Sequence, residues 1–565
     1  MQSVDAVVIG AGHNGLVAAN DLADAGWEVV VVDAAEAPGG AVRSAETTAP
    51  GFQTDLFSAF YPMTAASPVM ARLGLQEHGL RWAHAPVVLG HAAAHGPAVL
   101  LHRNASLTAD GLDRAHRGDG KAWLELAASW DRFGAQMLSA LLGPFPPVRA
   151  GLRLAAAART EVFDLARLAI LPVRRLGEER FGGPDPTLLL AGNALHADVP
   201  PEAAPSALLG WMLCGLAQTV GFPVPVGGAG QITAALVDRL SQAGGVLRCR
   251  RPVERIEVSN GRAAVVHTGA GPIAARRAVI AACDAQVLYD HLVDPDDLPV
   301  AFRAGLRRFH RAHATVKVNW ALRERVPWSD PGLRGAGTVH IADSLDELTL
   351  TAAELAMGQI PAKPFLLVGQ MTTSDPTRSP AGTESLWAYT HVPQHIVNDA
   401  GGQIDATGLL IGPALDRFVE RMEDRLEAHA PGFRSAVMAR HVQGPADLQS
   451  ANPSLVGGDI GGGSSQLHQQ LIFRPVPGLA RPETPIAGLF LGSASAHPGG
   501  SVHGACGANA ARAAIWHDRG RRLRSALARR ASNSPPSLAY PGAMAVPRNG
   551  HDAGAPVPSP GTGRP

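Results

Sequence analysis

Three kinds of reactive side chain are scarce in this 565-residue chain: four cysteines, four tyrosines and three lysines. Cys214, Cys249, Cys283 and Cys506 lie far apart and none sits in a Cys-x-x-Cys pair. The sequence therefore frames neither a metal site nor a redox-active dithiol. Lys121, Lys317 and Lys363 are the whole stock of side-chain amines for Schiff-base chemistry, the other basic residues being arginine. No uninterrupted apolar run approaches the ~18 residues that a spanning helix needs. Lys+Arg and Asp+Glu both number 49, for a net charge of zero, which argues against nucleic acid as a partner. Strand-like sequence begins near residue 4, which leaves no room for a targeting peptide, so a cytoplasmic location is expected.

What is abundant is glycine, 63 residues, and the first glycines fall into a pattern with a mechanism. The apolar run 6–9 reads as a buried strand. It breaks into Gly10-Ala11-Gly12-His13-Asn14-Gly15, and residues 16–23 have helical spacing. Gly10 permits the tight turn, Gly12 lets the backbone approach a pyrophosphate, and Gly15 lets helix and strand pack closely. The helix N-terminus offers free N–H groups and a positive dipole end. A second apolar strand, 28–32, ends in Asp33, about 20 residues on, where an acid accepts ribose hydroxyls. His13 falls beside the phosphates as a cofactor-side contact.

Further along, residues 83–89 and 98–102 read as strands. Residues 119–182 are rich in Ala, Leu and Arg and read as cap helices broken by Pro144, Pro146 and Pro147. Their arginines, 149–175, read as a solvated face, with contact to a membrane surface as the alternative. A helix over 232–243 precedes strands at 246–249, 253–258 and 263–267; Asn260-Gly261 between the last two signals a hairpin. Strand 278–282 returns to the nucleotide domain. Residues 300–440 mix strands (314–320, 365–372, 386–391) with a helix over 412–428. The glycines of 457–463 have no clean strand before them and no long helix after, so a second phosphate loop is rejected. A last strand, 486–491, enters a glycine-rich turn and a helix over 508–519. The basic run 519–530 reads as the solvated end of that helix, and from Ala531 on the composition is that of a disordered tail.

The blocks Gly10 to Ala19, Pro38-Gly39-Gly40-Ala41, 223–231, Phe473-Arg474-Pro475 and Leu491 to Gly504 stand in an order that resembles the phytoene desaturase-like FAD-dependent oxidoreductases. The resemblance runs from residue 4 to about 515. It implies an α/β fold, a glutathione-reductase-like Rossmann FAD-binding domain with an interleaved α+β substrate domain and a helical insertion. The expected divisions are 1–110, 221–295 and 451–525 for the FAD domain, 111–220 for the helical cap, 296–450 for the substrate domain and 526–565 for the tail. FAD is the implied cofactor. Gly39, Gly40 and Arg43 match a second FAD contact, Val253 the strand residue beside the adenine, and Pro498, Gly499 and Gly500 the turn over the isoalloxazine. Two departures stand out: Asp33 replaces the Glu of many relatives, and no Arg directly follows the glycine pair.

The implied activity is dehydrogenation of a largely apolar small molecule, with hydride passing to flavin and an unassigned electron acceptor. His497 and His503, in the turn beside the ring, are the candidate proton-transfer groups. The rival readings are a flavin amine oxidase-like enzyme, a reduced-flavin isomerase and a non-catalytic regulatory flavoprotein. An acid with an aromatic cage for a substrate ammonium would favour the first rival.

Overall fold

Unbroken apolar strands such as Val29–Val32 must be buried on both faces, whereas alternating strands such as Ala314–Leu322 give a sheet two unlike faces. The chain builds one seven-stranded sheet of each kind. The computed structural model describes residues 1–92 and 96–532, with side chains through residue 525; the expected disordered tail lies largely outside the described residues. Met1–Asp518 pack as one unit, and the described part of the second, from Arg519 to Ser532, is helical.

In chain order the strands of these two sheets are β1 (Gln2–Ile9), β2 (Val29–Val32), β3 (Val87–Ala92), β4 (Val99–Leu101), β5 (Val246–Arg248), β6 (Val253–Ser259) and β7 (Arg262–Thr268). They continue with β8 (Gly271–Ala281), β9 (Ala314–Leu322), β10 (Ala336–Ile341), β11 (Leu366–Gln370), β12 (Glu384–Val392), β13 (Val437–Gln443) and β14 (Leu489–Leu491). The helices used below are α1 (His13–Asp24), α2 (Pro62–Ala66), α3 (Ala105–Ala115), α4 (Asp119–Leu142), α5 (Val148–Ala158) and α6 (Val162–Leu168). After them come α7 (Val173–Arg180), α8 (Asp185–Ala194), α9 (Ser206–Thr219), α10 (Gly230–Gln242), α11 (Gly412–His429) and α12 (Ala505–Ser532).

The first sheet runs β6-β7-β8-β1-β2-β5, with β14 also on β8. β1 lies parallel to both β2 and β8, so Val7 faces Val30 on one side and Val279 on the other. β5 and β14 extend the parallel part. β6, β7 and β8 form an antiparallel meander, and Asn260 and Gly261, both at positive φ (53° and 70°), make its hairpin turn. This is a Rossmann-type sheet drawn from three separate stretches of chain.

The second sheet runs β13-β9-β12-β11-β10-β3-β4. One expectation changes. Strands β3 and β4, placed by sequence in the first FAD segment (1–110), belong to this sheet: Leu89 lies opposite Thr338 and His91 opposite His340. A partner about 250 positions away leaves no local signal. β10 and β13 were also not foreseen.

The second sheet's apolar face, with Val316, Val318, Trp320, Val339, Ile341, Leu386 and Ala388, packs on Leu415, Phe418, Val419, Met422 and Leu426 of α11. Alternation puts Thr315, Lys317 and Asn319 of β9, His340 of β10, and Trp387, Tyr389 and His391 of β12 on the opposite face. That face looks toward residues 55–57 and the helical insertion. Lys317 bonds to carbonyls of residues 55 and 57, and a Cβ at Gly192 of α8 would come within 2.4 Å of His340.

Candidate functional site

The turn between β1 and α1 is held open for a ligand by three glycines with different duties. Gly10 sits at φ 98° and donates its N–H to the Val32 carbonyl (2.8 Å). A Cβ at Gly15 would lie 2.0 Å from the Gly10 carbonyl oxygen and 3.1 Å from the Ala282 Cβ, so helix and strand touch there. Gly12 is the N-cap of α1, and no side chain caps the helix or places an acid in its first turn. Those N–H groups and the dipole end are left for an external anion. Gly39 donates its N–H to Ala11 (2.9 Å), which brings Gly40 against Gly12. The Nε2 of His13 is buried without a hydrogen-bond partner, and burial lowers its pKa to about 4, so the ring is neutral. An orphaned buried nitrogen beside an uncapped helix end fits a phosphate-bearing cofactor.

Asp33 closes the far side. Its carboxylate accepts N–H bonds from Ala11 (2.6 Å) and Ala35 (2.8 Å), which uses two acceptor sites and leaves others for ribose hydroxyls. The backbone of Asp33 pairs with Arg248 and Arg251, so Val253, at the head of β6, follows directly from the segment beside it. Arg43 is engaged within the protein: it donates to the carbonyls of Gly40 (3.0 Å) and Ala451 (2.7 Å) and lies 5.4 Å from the Phe57 ring centre. It thereby ties the glycine pair to the C-terminal part of the chain.

The Pro498-Gly499-Gly500 turn comes back toward the same place. Thr64 and Ser67, at and just after α2, donate their hydroxyls to the carbonyls of Val502 and His503, and Gly507 of α12 packs on the backbone of Asn14 in α1. The turn is anchored by Arg474, which is fully buried. Its guanidinium donates to the carbonyls of Ala494 (2.7 Å), Gly461 (3.0 Å), Gly462 (2.6 Å) and Ser464 (3.0 Å). Burial lowers its pKa to about 10, so it stays charged at neutral pH. The glycine-rich 457–463 segment has its N–H groups turned inward: those of Gly461 and Gly463 bond to Asp459. Its rejection as a phosphate loop agrees with that geometry.

His503 accepts a hydrogen bond at Nδ1 from the Ala505 N–H (3.0 Å), at the start of α12, and burial brings its pKa to about 3. His497 packs edge-on against Phe145 of the helical insertion (5.7 Å between ring centres), and burial brings its pKa to about 4. Its Nε2 has no hydrogen-bond partner, so His497 is the freer member of the pair.

Several residues of the second sheet's polar face were not singled out from sequence. Lys317 is buried, donates to the Asp55 and Phe57 carbonyls, and sits 5.6 Å from the Trp387 ring centre. Burial is the main reason its pKa falls to about 7. The available signal was a lysine, rare in this chain, at the centre of an apolar strand. Asp198 pairs with His391 (2.8 Å). Burial opposes its ionisation, but His391 and His313 outweigh that and hold its pKa below the usual carboxylate range. His196 shares a 2.8 Å contact with His340, and Trp387 stacks on Tyr389 at 5.9 Å. His196, Asp198, His313 and Tyr389 are each half-buried.

Lys317 gives a pH prediction. Between pH 7 and 10.5 the unfolded chain keeps a proton that the folded protein has released, so this group makes stability rise with pH through that window. Lys317→Met removes the titration. Its stability relative to wild type, followed by denaturant melts, should fall by about 2–3 kcal/mol from pH 6 to pH 9.

Comparison with known proteins bears on the cofactor. The family model described as flavin containing amine oxidoreductase matches residues 15–377, more than half of the chain. A curated relative from Mus musculus, pyridine nucleotide-disulfide oxidoreductase domain-containing protein 2, is 28% identical over 90% of this chain and 92% of its own. The phytoene dehydrogenase of Streptomyces griseus is 29% identical over 66% of this chain and 70% of its own. A crystal structure of an oxidoreductase from Methanosarcina mazei superposes with a TM-score of 0.57 at 15% identity, over 91% of this chain and 100% of that one. With the uncapped helix end, Asp33 and the returning turn, these matches make FAD the cofactor. The chain belongs to the flavin containing amine oxidoreductase family and is an FAD-dependent oxidoreductase of the phytoene desaturase-like kind.

Proposed function

We infer that the chain dehydrogenates a largely apolar small molecule. The observation that carries this is the roof over the site. Helices α8 and α9 are almost wholly apolar, from Leu188 to Ala191 and from Trp211 to Ala217, and their side chains belong to the same core as α1 and Trp387. α9 packs on α2, which holds the turn at 502–503. An apolar substrate admitted under that roof would lie beside the ring with water excluded.

Bound FAD would accept the hydride; positioning and proton handling fall to the protein. Gly12, Gly39 and Gly40 with the α1 N-terminus hold the phosphates, Asp33 the ribose, and Val253 the adenine side. His497, with a free Nε2, and Lys317, with a pKa near 7, are the groups suited to take up the proton that leaves with the hydride. His503 holds the start of α12. The setting proposed is cytoplasmic, with an acceptor of unspecified kind.

A second reading has one observation in its favour. Asp198 stays ionised near the stacked Trp387 and Tyr389, an acid and aromatic pair that could receive an ammonium group. His391 already engages that acid, so the first reading leads. Anaerobic mixing of the FAD-loaded protein with terpene hydrocarbons and with primary amines separates the two. Bleaching of the flavin by the hydrocarbons is expected. Bleaching by amines alone would select the second reading, and a purified protein that takes up no FAD would defeat both.

A further inference from the structure

Helices α5 and α6 in the insertion, with the turn that follows α6, carry large apolar side chains on the outside. Val148 is 61% exposed, Leu152 67%, Phe163 81% and Ile170 63%. The reason lies in helix geometry. Ala158 and Leu165 are buried, and Leu154, Val162 and Leu168 pack against the core, so that row faces in. Positions 148 and 152, one turn apart, are turned away from it. Arg149, Arg153 and Arg159 are exposed between and beside these apolar residues. Among the described residues none of the three makes an ion pair or hydrogen bond, whereas neighbouring Arg132 pairs with Glu161 (2.9 Å) and Arg167 with Glu179 (2.6 Å). Asp164 is an exposed acid of this stretch, so the surface keeps a positive balance.

We propose that this face, Val148, Leu152, Phe163 and Ile170 with Arg149, Arg153 and Arg159, docks the enzyme on an anionic lipid surface. The apolar side chains enter the acyl boundary and the unpaired guanidiniums meet lipid phosphates. No helix among the described residues is long and apolar enough to cross a membrane, so attachment through this face is peripheral. A second copy of the chain is the other occupant an apolar face could take, but the three unpaired arginines outnumber the exposed Asp164, and that excess of like charge would repel across a symmetric contact.

The test is flotation of the purified, FAD-loaded protein with vesicles of phosphatidylcholine alone or with roughly one-third phosphatidylglycerol. Binding to the anionic vesicles, weakened by salt, is expected. Leu152→Ser with Phe163→Ser, and separately Arg149→Glu with Arg153→Glu, should each lower the bound fraction about tenfold or more. These exposed positions should leave flavin content and melting temperature unchanged, which separates this proposal from the dehydrogenase reading. Equal flotation of wild type and both variants, or no flotation on anionic vesicles at low salt, overturns the proposal. Self-association in sedimentation that the same substitutions abolish would assign the face to a second copy instead.

Discussion

Arg474→Met is expected to yield a protein that neither holds FAD nor melts cooperatively near the wild-type temperature. The side chain is fully buried, and its donors are the partners of carbonyls at Gly461, Gly462, Ser464 and Ala494. Methionine fills the volume but leaves those oxygens without donors, each costing about 1–3 kcal/mol. It also strips the positive charge from beside the buried Asp459. A loss of ~4 kcal/mol or more is a large share of the 5–15 kcal/mol that holds an ordinary domain together. Arg474→Lys should recover only part of it, because three donors on one nitrogen cannot span carbonyls that a planar fork reaches on several sides. Thermal melts with flavin content as a second readout check this; a methionine variant with wild-type melting and full flavin would show that the two loops find other partners.

The second large effect separates the two duties of the glycine turn. Gly15→Ala puts a methyl 2.0 Å from the Gly10 oxygen and 3.1 Å from the Ala282 Cβ, so α1 must lift off the sheet. A destabilisation of about 3 kcal/mol is expected. Gly12→Ala meets only the Gly40 Cα, at 3.9 Å, and its φ of −69° suits alanine. The apoprotein should therefore melt as wild type does, while flavin retention falls because the new methyl stands where the pyrophosphate must approach. Calorimetry of the stripped proteins and flavin titration of each variant give the two readings. Equal loss of stability in both would mean that Gly12 serves packing and not the cofactor.

The cradle was legible because its signals are local. Gly10, Gly12, Gly15 and Asp33 lie within 24 consecutive positions, and each has a backbone or acceptor duty readable from spacing. The hairpin at Asn260-Gly261 was legible for the same reason. Lys317, Asp198 and His391 were not, since their roles come from a sheet that sets β9 beside β12 and from a contact between residues 198 and 391. The second sheet's alternation was visible within each strand, but which face would look toward the cofactor depends on partners far along the chain. Residues 87–101 show the same limit. Their strand character was readable, and the sheet they join was not.

The first sheet also governs how the protein can be made. β1 is made before β8, and β14, which pairs with β8 over Val279–Ala281, arrives only with residues 489–491. Until then the Val279–Ala281 edge of β8 stands unpaired, with apolar residues and open backbone groups that invite wrong partners. Parallel pairing at such separations is slow to form. The nascent chain must stay unaggregated until residue 491 has been made before the site can close on FAD, a natural point for chaperone protection and for cofactor supply to set the yield of active enzyme.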